Sequence, residues 1–129
     1  MATWDDVRRI ALALPETAEG TSYGNPSWKV RGTMFAWDRP LRKAERNDAD
    51  PDGPILGVRV ADEGVKHALI ADDGDVYFTI PHFDGYAAVL VRLERIEVAE
   101  LAEVITESWL LRAPKRLARD FSAEHRPPG

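Results

Sequence analysis

Residues 98–112, VAELAEVITESWLLR, carry one helical stripe through about four turns, and no stretch between residues 16 and 92 does so for as long. Leu101, Val104, Ile105, Ser108 and Trp109 fall at the i, i+3, i+4, i+7 and i+8 positions of a single face. That face needs a cover, and the sequence predicts what supplies it. From Glu16 to Pro40 the chain is punctuated by Gly20, Gly24, Pro26 and Gly32 into pieces too short for helices, and Trp28-Lys29-Val30 and Met34-Phe35-Ala36-Trp37 favour pleated backbone. Arg31-Gly32 sits where a tight hairpin wants residues tolerant of positive φ. Ile55–Val60, Val76–Ile80 and Ala87–Arg92 read as further strands, the last two joined by the loop Pro81–Tyr86.

Helices flank these strands. Thr3 and Asp6 have the spacing of a capping box, so a first helix starts at Trp4, buries Val7, Ile10, Ala11 and Leu14, and stops at Pro15. Ala61–Ala71 predicts a short helix with Val65, Ala68 and Leu69 toward the sheet, and Lys115–Phe121 a basic turn of helix after Pro114. The segment RPLRKAERNDADPDGP reads as a loop. The expected fold class is α+β: a two-layer sandwich with a mainly antiparallel sheet and helices on one face. A chain of 129 residues holds one such domain, placed at residues 1–123 with 124–129 as a frayed tail.

Composition excludes several chemistries. With no cysteine there is no disulfide, thiolate nucleophile or cysteine-held metal centre. His67, His82 and His125 are too far apart in sequence for short metal-binding pairs, and the Asp48, Asp50, Asp52 series lacks the spacing of a calcium loop. GxGxxG, GxxxxGK and GxSxG are absent. No cofactor and no metal are expected. No apolar run approaches the roughly 18 residues of a membrane span, so the expected setting is cytoplasmic with no membrane partner.

Charge is distributed unevenly. Residues 28–46 hold six Lys or Arg against two acids, residues 112–126 hold five against two, and residues 47–75 hold eight acids against two bases. If the two basic segments met in the fold they would form an anion-binding face. Kept apart, a chain of net charge −5 should be repelled by nucleic acid. A second candidate is the loop holding His82, Asp84 and Tyr86, three groups able to exchange or share protons. His82 bonded to its own loop, Asp84 opening a turn and Tyr86 burying its ring is the competing reading.

The opening TWDDVRRIALALPETAEGTSYGNPSWKVRGTMFA, the central VYFTIPHFDGYAAVLVRL and the closing ESWLLRAPKRLARDF resemble the MmcQ/YjbR family of small bacterial proteins over nearly the whole chain. The most specific pieces are Gly24-x-Pro26 with Lys29-Val30-x-Gly32, Pro81-His82 with Gly85-Tyr86, and Ala113-Pro114-Lys115-Arg116. The resemblance implies a CyaY-like, or double-wing, fold and a DNA-binding label that rests on fold analogy. It puts weight on Lys29, Gly32, His82, Gly85, Tyr86, Lys115 and Arg116. Thr33 stands where a basic residue is common, and Ala87 where proline often follows the Gly-Tyr pair.

Three functional expectations follow. The first is a DNA-binding or anion-binding accessory domain, with Lys29, Arg31, Lys115 and Arg116 on phosphates and Trp28 stacking. The second is a small-molecule module with a cleft at His82, Asp84 and Tyr86. The third is an enzyme using His82 with a carboxylate, placed last because no nucleophile occurs at a matched spacing.

Overall fold

Thr3 caps the first helix: its hydroxyl accepts from the Asp6 N–H while the Asp6 carboxylate accepts from the Thr3 N–H, the reciprocal pair the sequence predicts. In the computed structural model, which describes residues 1–45 and 53–124, this helix is α1, Trp4–Leu12. It is followed by β1 (Thr17–Ser22), β2 (Asn25–Val30), β3 (Thr33–Asp38), β4 (Ile55–Arg59), α2 (Glu63–Asp72), β5 (Tyr77–Phe78), β6 (Ala88–Arg92), α3 (Val98–Arg112) and α4 (Lys115–Glu124). The acidic series Asp48–Asp52 and the tail from residue 125 lie outside the described residues.

The six strands form one antiparallel sheet in the order β1-β2-β3-β4-β6-β5. Two tight turns make its first half. Tyr23-Gly24 (φ 52° and 81°) joins β1 to β2, and Arg31-Gly32 (φ 46° and 82°) joins β2 to β3. Both are left-handed pairs of the kind that matches strand twist in a two-residue hairpin.

Register then decides which side chains meet the helices. Trp28 pairs with Ala36 but Lys29 pairs with Met34, which leaves Phe35 as one extra residue in β3. This bulge turns Phe35 and Ala36 together into the helix-side core, with Trp28, Val30, Leu56, Val58, Val89 and Val91, against Val7, Ala11, Leu101, Ile105 and Trp109. The freed Phe35 carbonyl accepts from the buried Ser108 hydroxyl at 2.6 Å, and Ser108 in turn accepts from the Arg59 N–H at 2.9 Å. One serine of α3 thus ties down the bulge and the end of β4. The opposite face of the sheet carries a smaller cluster, Ile55, Ile80 and Leu90 with Leu41, Phe78 and Phe83.

Three local expectations need correcting. The second helix starts at Glu63, where Asp62 accepts from the Val65 N–H and caps it, and it does not bury Val65, which is 40% exposed, but Lys66, which is 1% exposed. Its Leu69 and Ile70 pack on the core edge. The strand expected over Val76–Ile80 shrinks to two residues, because the Val76 and Tyr77 N–H groups are taken by the Asp73 carbonyl in a turn and Ile80 leads into a 3-10 turn at Pro81–Phe83. The basic turn after Pro114 extends to Glu124, since Phe121 reaches the Trp109 ring at 4.9 Å.

Candidate functional site

The side of the sheet away from the helices is concave at its β1–β4 end. On β3, Met34 and Trp37 face this side. Trp37 lies directly opposite Gly57 of β4, and its ring occupies the space a side chain there would need: a Cβ at Gly57 would stand 2.3 Å from Cε2. Glycine within a strand marks close approach of another group, and here the group is an indole forming an apolar floor.

Around that floor lies a concavity of about 550 Å³, within the usual range for small-molecule sites. Its walls come from the β1–β2 turn (Tyr23), the segment after β3 (Arg39, Arg42), the end of β4 (Arg59) and the 81–86 loop (His82, Tyr86). Arg59 lies 5.7 Å over the Trp37 ring centre and Phe83 6.2 Å from it.

The arginines differ in how they are satisfied. Arg39 gives Glu45 a bidentate pair at 3.0 and 2.8 Å and covers the Phe83 ring at 5.6 Å, and this pairing holds the Glu45 carboxyl below its usual range. Arg59 has no acid beside it among the described residues. Its Nε–H is buried without a hydrogen-bond partner, and burial, then the like charge of Arg112, holds its guanidinium below the usual arginine range. Asp38, also at the wall, has its carboxyl pushed up from the usual carboxylate range by burial.

The 81–86 loop is held from below. Lys66 of α2 donates to the Phe83 carbonyl at 2.7 Å and the Tyr86 carbonyl at 3.1 Å, and its ammonium lies 3.7 Å from Glu63. His82 is exposed, edge-on to Phe83 at 4.9 Å. His82 and Tyr86 line the concavity and Asp84 does not. Among the described residues no hydrogen bond joins His82 to Asp84 or Tyr86, so the three do not assemble as an acid–base set, and no group of three or more His, Cys, Asp or Glu is placed to hold a metal.

The expected phosphate contacts are dispersed. Trp28 is fully buried, stacked on Trp4 at 6.2 Å with its indole N–H donating to Glu19, which removes it from any stacking surface. It alternates with Lys29 along β2, so it points to the helix layer. Arg31 is taken up by Glu16 in a bidentate pair at 2.7 and 2.9 Å, which raises the Arg31 guanidinium and lowers the Glu16 carboxyl from their usual values. Lys29, opposite Met34, stands on the concave side of the sheet. Lys115 and Arg116 are exposed at the start of α4, which packs on α3 in the helix layer. The two basic segments therefore occupy different layers.

Gly57, Arg59 and Tyr23 were not singled out by sequence reasoning. Gly57, a glycine in the middle of the strand Ile55–Arg59, is a local signal for this place.

Fold and site together define a small α+β domain with an open, arginine-walled concavity. The model of the YjbR family matches residues 12–111, and the chain belongs to that family. Uncharacterized proteins of Mycobacterium tuberculosis and Mycobacterium bovis are each 57% identical to it over 129 aligned residues, covering 95% of this chain and 98% of their own length. The crystal structure of a DUF419-domain protein from Deinococcus radiodurans aligns with a TM-score of 0.69 at 22% identity, covering 99% of this chain and 91% of that one, a likeness of fold. Among the described residues no helix is long and apolar enough to cross a membrane.

Proposed function

We propose that this chain is a binding module for a small anionic molecule with an apolar body, held in the concavity over Trp37 with its negative group on Arg59. The observation that carries the reading is the Arg59 guanidinium: partly buried, its Nε–H without a partner among the described residues, seated on an indole at the wall of a cavity of ligand size. An unsatisfied buried donor costs a fold about 1–3 kcal/mol, and a carboxylate or similar oxyanion accepting from it removes that cost on binding. Arginine recognises such groups through paired N–H donors. The nucleic-acid alternative is less supported, because Trp28 is buried, Arg31 is paired, and Lys29 lies in a different layer from Lys115 and Arg116.

The test is calorimetric titration of 2-naphthoate, and of the neutral 2-naphthalenemethanol, into the protein and its Arg59→Gln variant. Binding of the carboxylate is expected at micromolar to millimolar strength, at least tenfold weaker in the variant and weaker for the alcohol. Equal affinity in both proteins, or no binding to either, overturns the reading. If instead a DNA duplex binds at low salt and weakens in proportion to the number of phosphates contacted, the nucleic-acid reading takes its place.

A further inference from the structure

We infer that the ligand is a flat aromatic anion, clamped between Tyr23 on the β1–β2 turn and Tyr86 on the 81–86 loop above the Trp37 floor. This rests on the anion-binding reading and adds the shape and electronic character of what binds. Tyr23 occupies the first central position of a two-residue hairpin turn at φ 52°, where Asn, Asp or Gly is favoured and other residues pay for the left-handed backbone. The ring recovers none of that cost inside the fold, because Tyr23 is fully exposed. What the turn gains is an aromatic ring at the lip of the concavity. Arg31 holds the same backbone at φ 46° in the β2–β3 turn, and its side chain is bonded to Glu16; Tyr23 has the same cost with its ring exposed beside a cavity, a place where function retains strain.

Tyr86 is its counterpart. It is 59% exposed, follows Gly85 at φ 81°, and lines the same concavity, with its carbonyl fixed by Lys66. Two exposed phenol rings and a buried indole at one cavity are a poor arrangement for water and a good one for a π-face. Tyrosine supplies large rigid contact area at small entropic cost, and aromatic rings prefer one another in offset or edge-on geometry beyond their buried area.

The experiment compares 2-naphthoate with its saturated counterpart decahydro-2-naphthoate, which keeps the carboxylate and the carbon skeleton but has no π-system. Titrations are made with the parent protein, Tyr23→Asn and Tyr86→Leu, and melting temperatures are recorded for all three. The parent is expected to bind the naphthoate at least tenfold more tightly than the decahydro compound. Tyr23→Asn is expected to melt at the same temperature or higher, since Asn suits the turn, yet to lose five- to tenfold in naphthoate affinity with little change for the saturated acid. Tyr86→Leu should narrow the preference similarly. Equal binding of the two acids, or equal weakening of both by Tyr23→Asn, overturns the clamp while leaving the Arg59 reading in place. Binding of neither acid overturns both.

Discussion

Gly57→Ala tests whether the floor of the concavity is built as described, because it adds one methyl group where the structure has no room. An ideal Cβ at position 57 would lie 2.3 Å from Trp37 Cε2 and 2.6 Å from both Cζ2 and Nε1, whereas carbon atoms in contact sit about 3.5–4.0 Å apart. The ring must move by more than about 1 Å, or β4 must part from β3. Neither is free. The ring is held between Phe83 and Arg59, and β4 is bonded on its other side to β6 over its full length. Replacing a strand glycine by alanine would by itself gain about 0.5–1 kcal/mol, while overpacking a filled site costs about 1–3 kcal/mol. The net expectation is a loss of about 1–2 kcal/mol. For 129 residues, an unfolding entropy of about 2.1 cal/mol/K per residue makes this a fall of about 4–8 °C in Tm. Urea unfolding of Gly57→Ala, Trp37→Leu and the double variant closes the cycle. With the indole gone the methyl group meets nothing, so the second substitution should be neutral or slightly stabilising in the Trp37→Leu background, with a coupling energy of about 1–3 kcal/mol. Additive effects, or a neutral Gly57→Ala with full naphthoate affinity, would show that the indole does not rest on Gly57.

Lys66→Met keeps the stem of a buried side chain and removes the ammonium that holds the Phe83 and Tyr86 carbonyls. Each carbonyl keeps one backbone donor, Tyr86 N–H and Ala88 N–H, so the loss is bounded at about 1–3 kcal/mol, with faster amide hydrogen exchange confined to residues 81–86; unchanged stability and exchange would contradict the bracing role. Tyr77 buries its phenol and donates to Glu100 at 2.7 Å; burial first, then that carboxylate, pushes the phenol well above its usual 10.0. A raised folded-state pKa favours the neutral form, so its contribution is complete below pH 10 and is lost as the unfolded chain ionises above it. The urea midpoint of the parent should fall more steeply above pH 10 than that of Tyr77→Phe, and parallel curves would refute the assignment.

Local signals in the sequence were enough for elements whose causes are local. The capping pair of Thr3 and Asp6, the stripe of Val98–Arg112 and the Arg31-Gly32 turn each depend on residues within a few positions of one another, and each stands where the spacing put it. What was hidden depends on partners far along the chain. Lys66 is buried with its ammonium donating to two carbonyls 17 and 20 residues away, a pairing that helical periodicity does not show, so the periodicity pointed to Val65 instead. Arg31 looked free in a basic segment, yet its acid lies 15 residues upstream across the first hairpin. The bulge at Phe35 shows only once β2 is laid against β3, and without it Trp37 could not be assigned to the open face. The 81–86 loop was recognisable by its crowd of polar groups, but which of them line a cavity was a matter of tertiary structure: His82 and Tyr86 do, Asp84 does not.

Ion pairing distinguishes Arg59 from four other arginines of the chain. The chain carries 22 acidic residues against 17 basic ones, so a partner for every arginine is easy to supply, and Arg8, Arg9, Arg31 and Arg39 have Glu19, Asp6, Glu16 and Glu45. The charge that bears on Arg59 is that of Arg112, of the same sign. A guanidinium left this way contributes little to folding. Its contact with the Trp37 ring is worth about 0.5–1 kcal/mol, while its unpartnered buried Nε–H costs about 1–3 kcal/mol. Arg59→Gln should therefore leave stability within about 1 kcal/mol of the parent, or raise it, while binding of 2-naphthoate falls at least tenfold. Urea unfolding and titration on the same two preparations separate the alternatives. A stability loss above about 2 kcal/mol would make Arg59 a brace of the sheet end, and the drop in affinity would then follow from a distorted wall. Intact stability with lost binding is what a residue held in reserve for an anion predicts, because the partner it lacks among the described residues is the one the ligand brings.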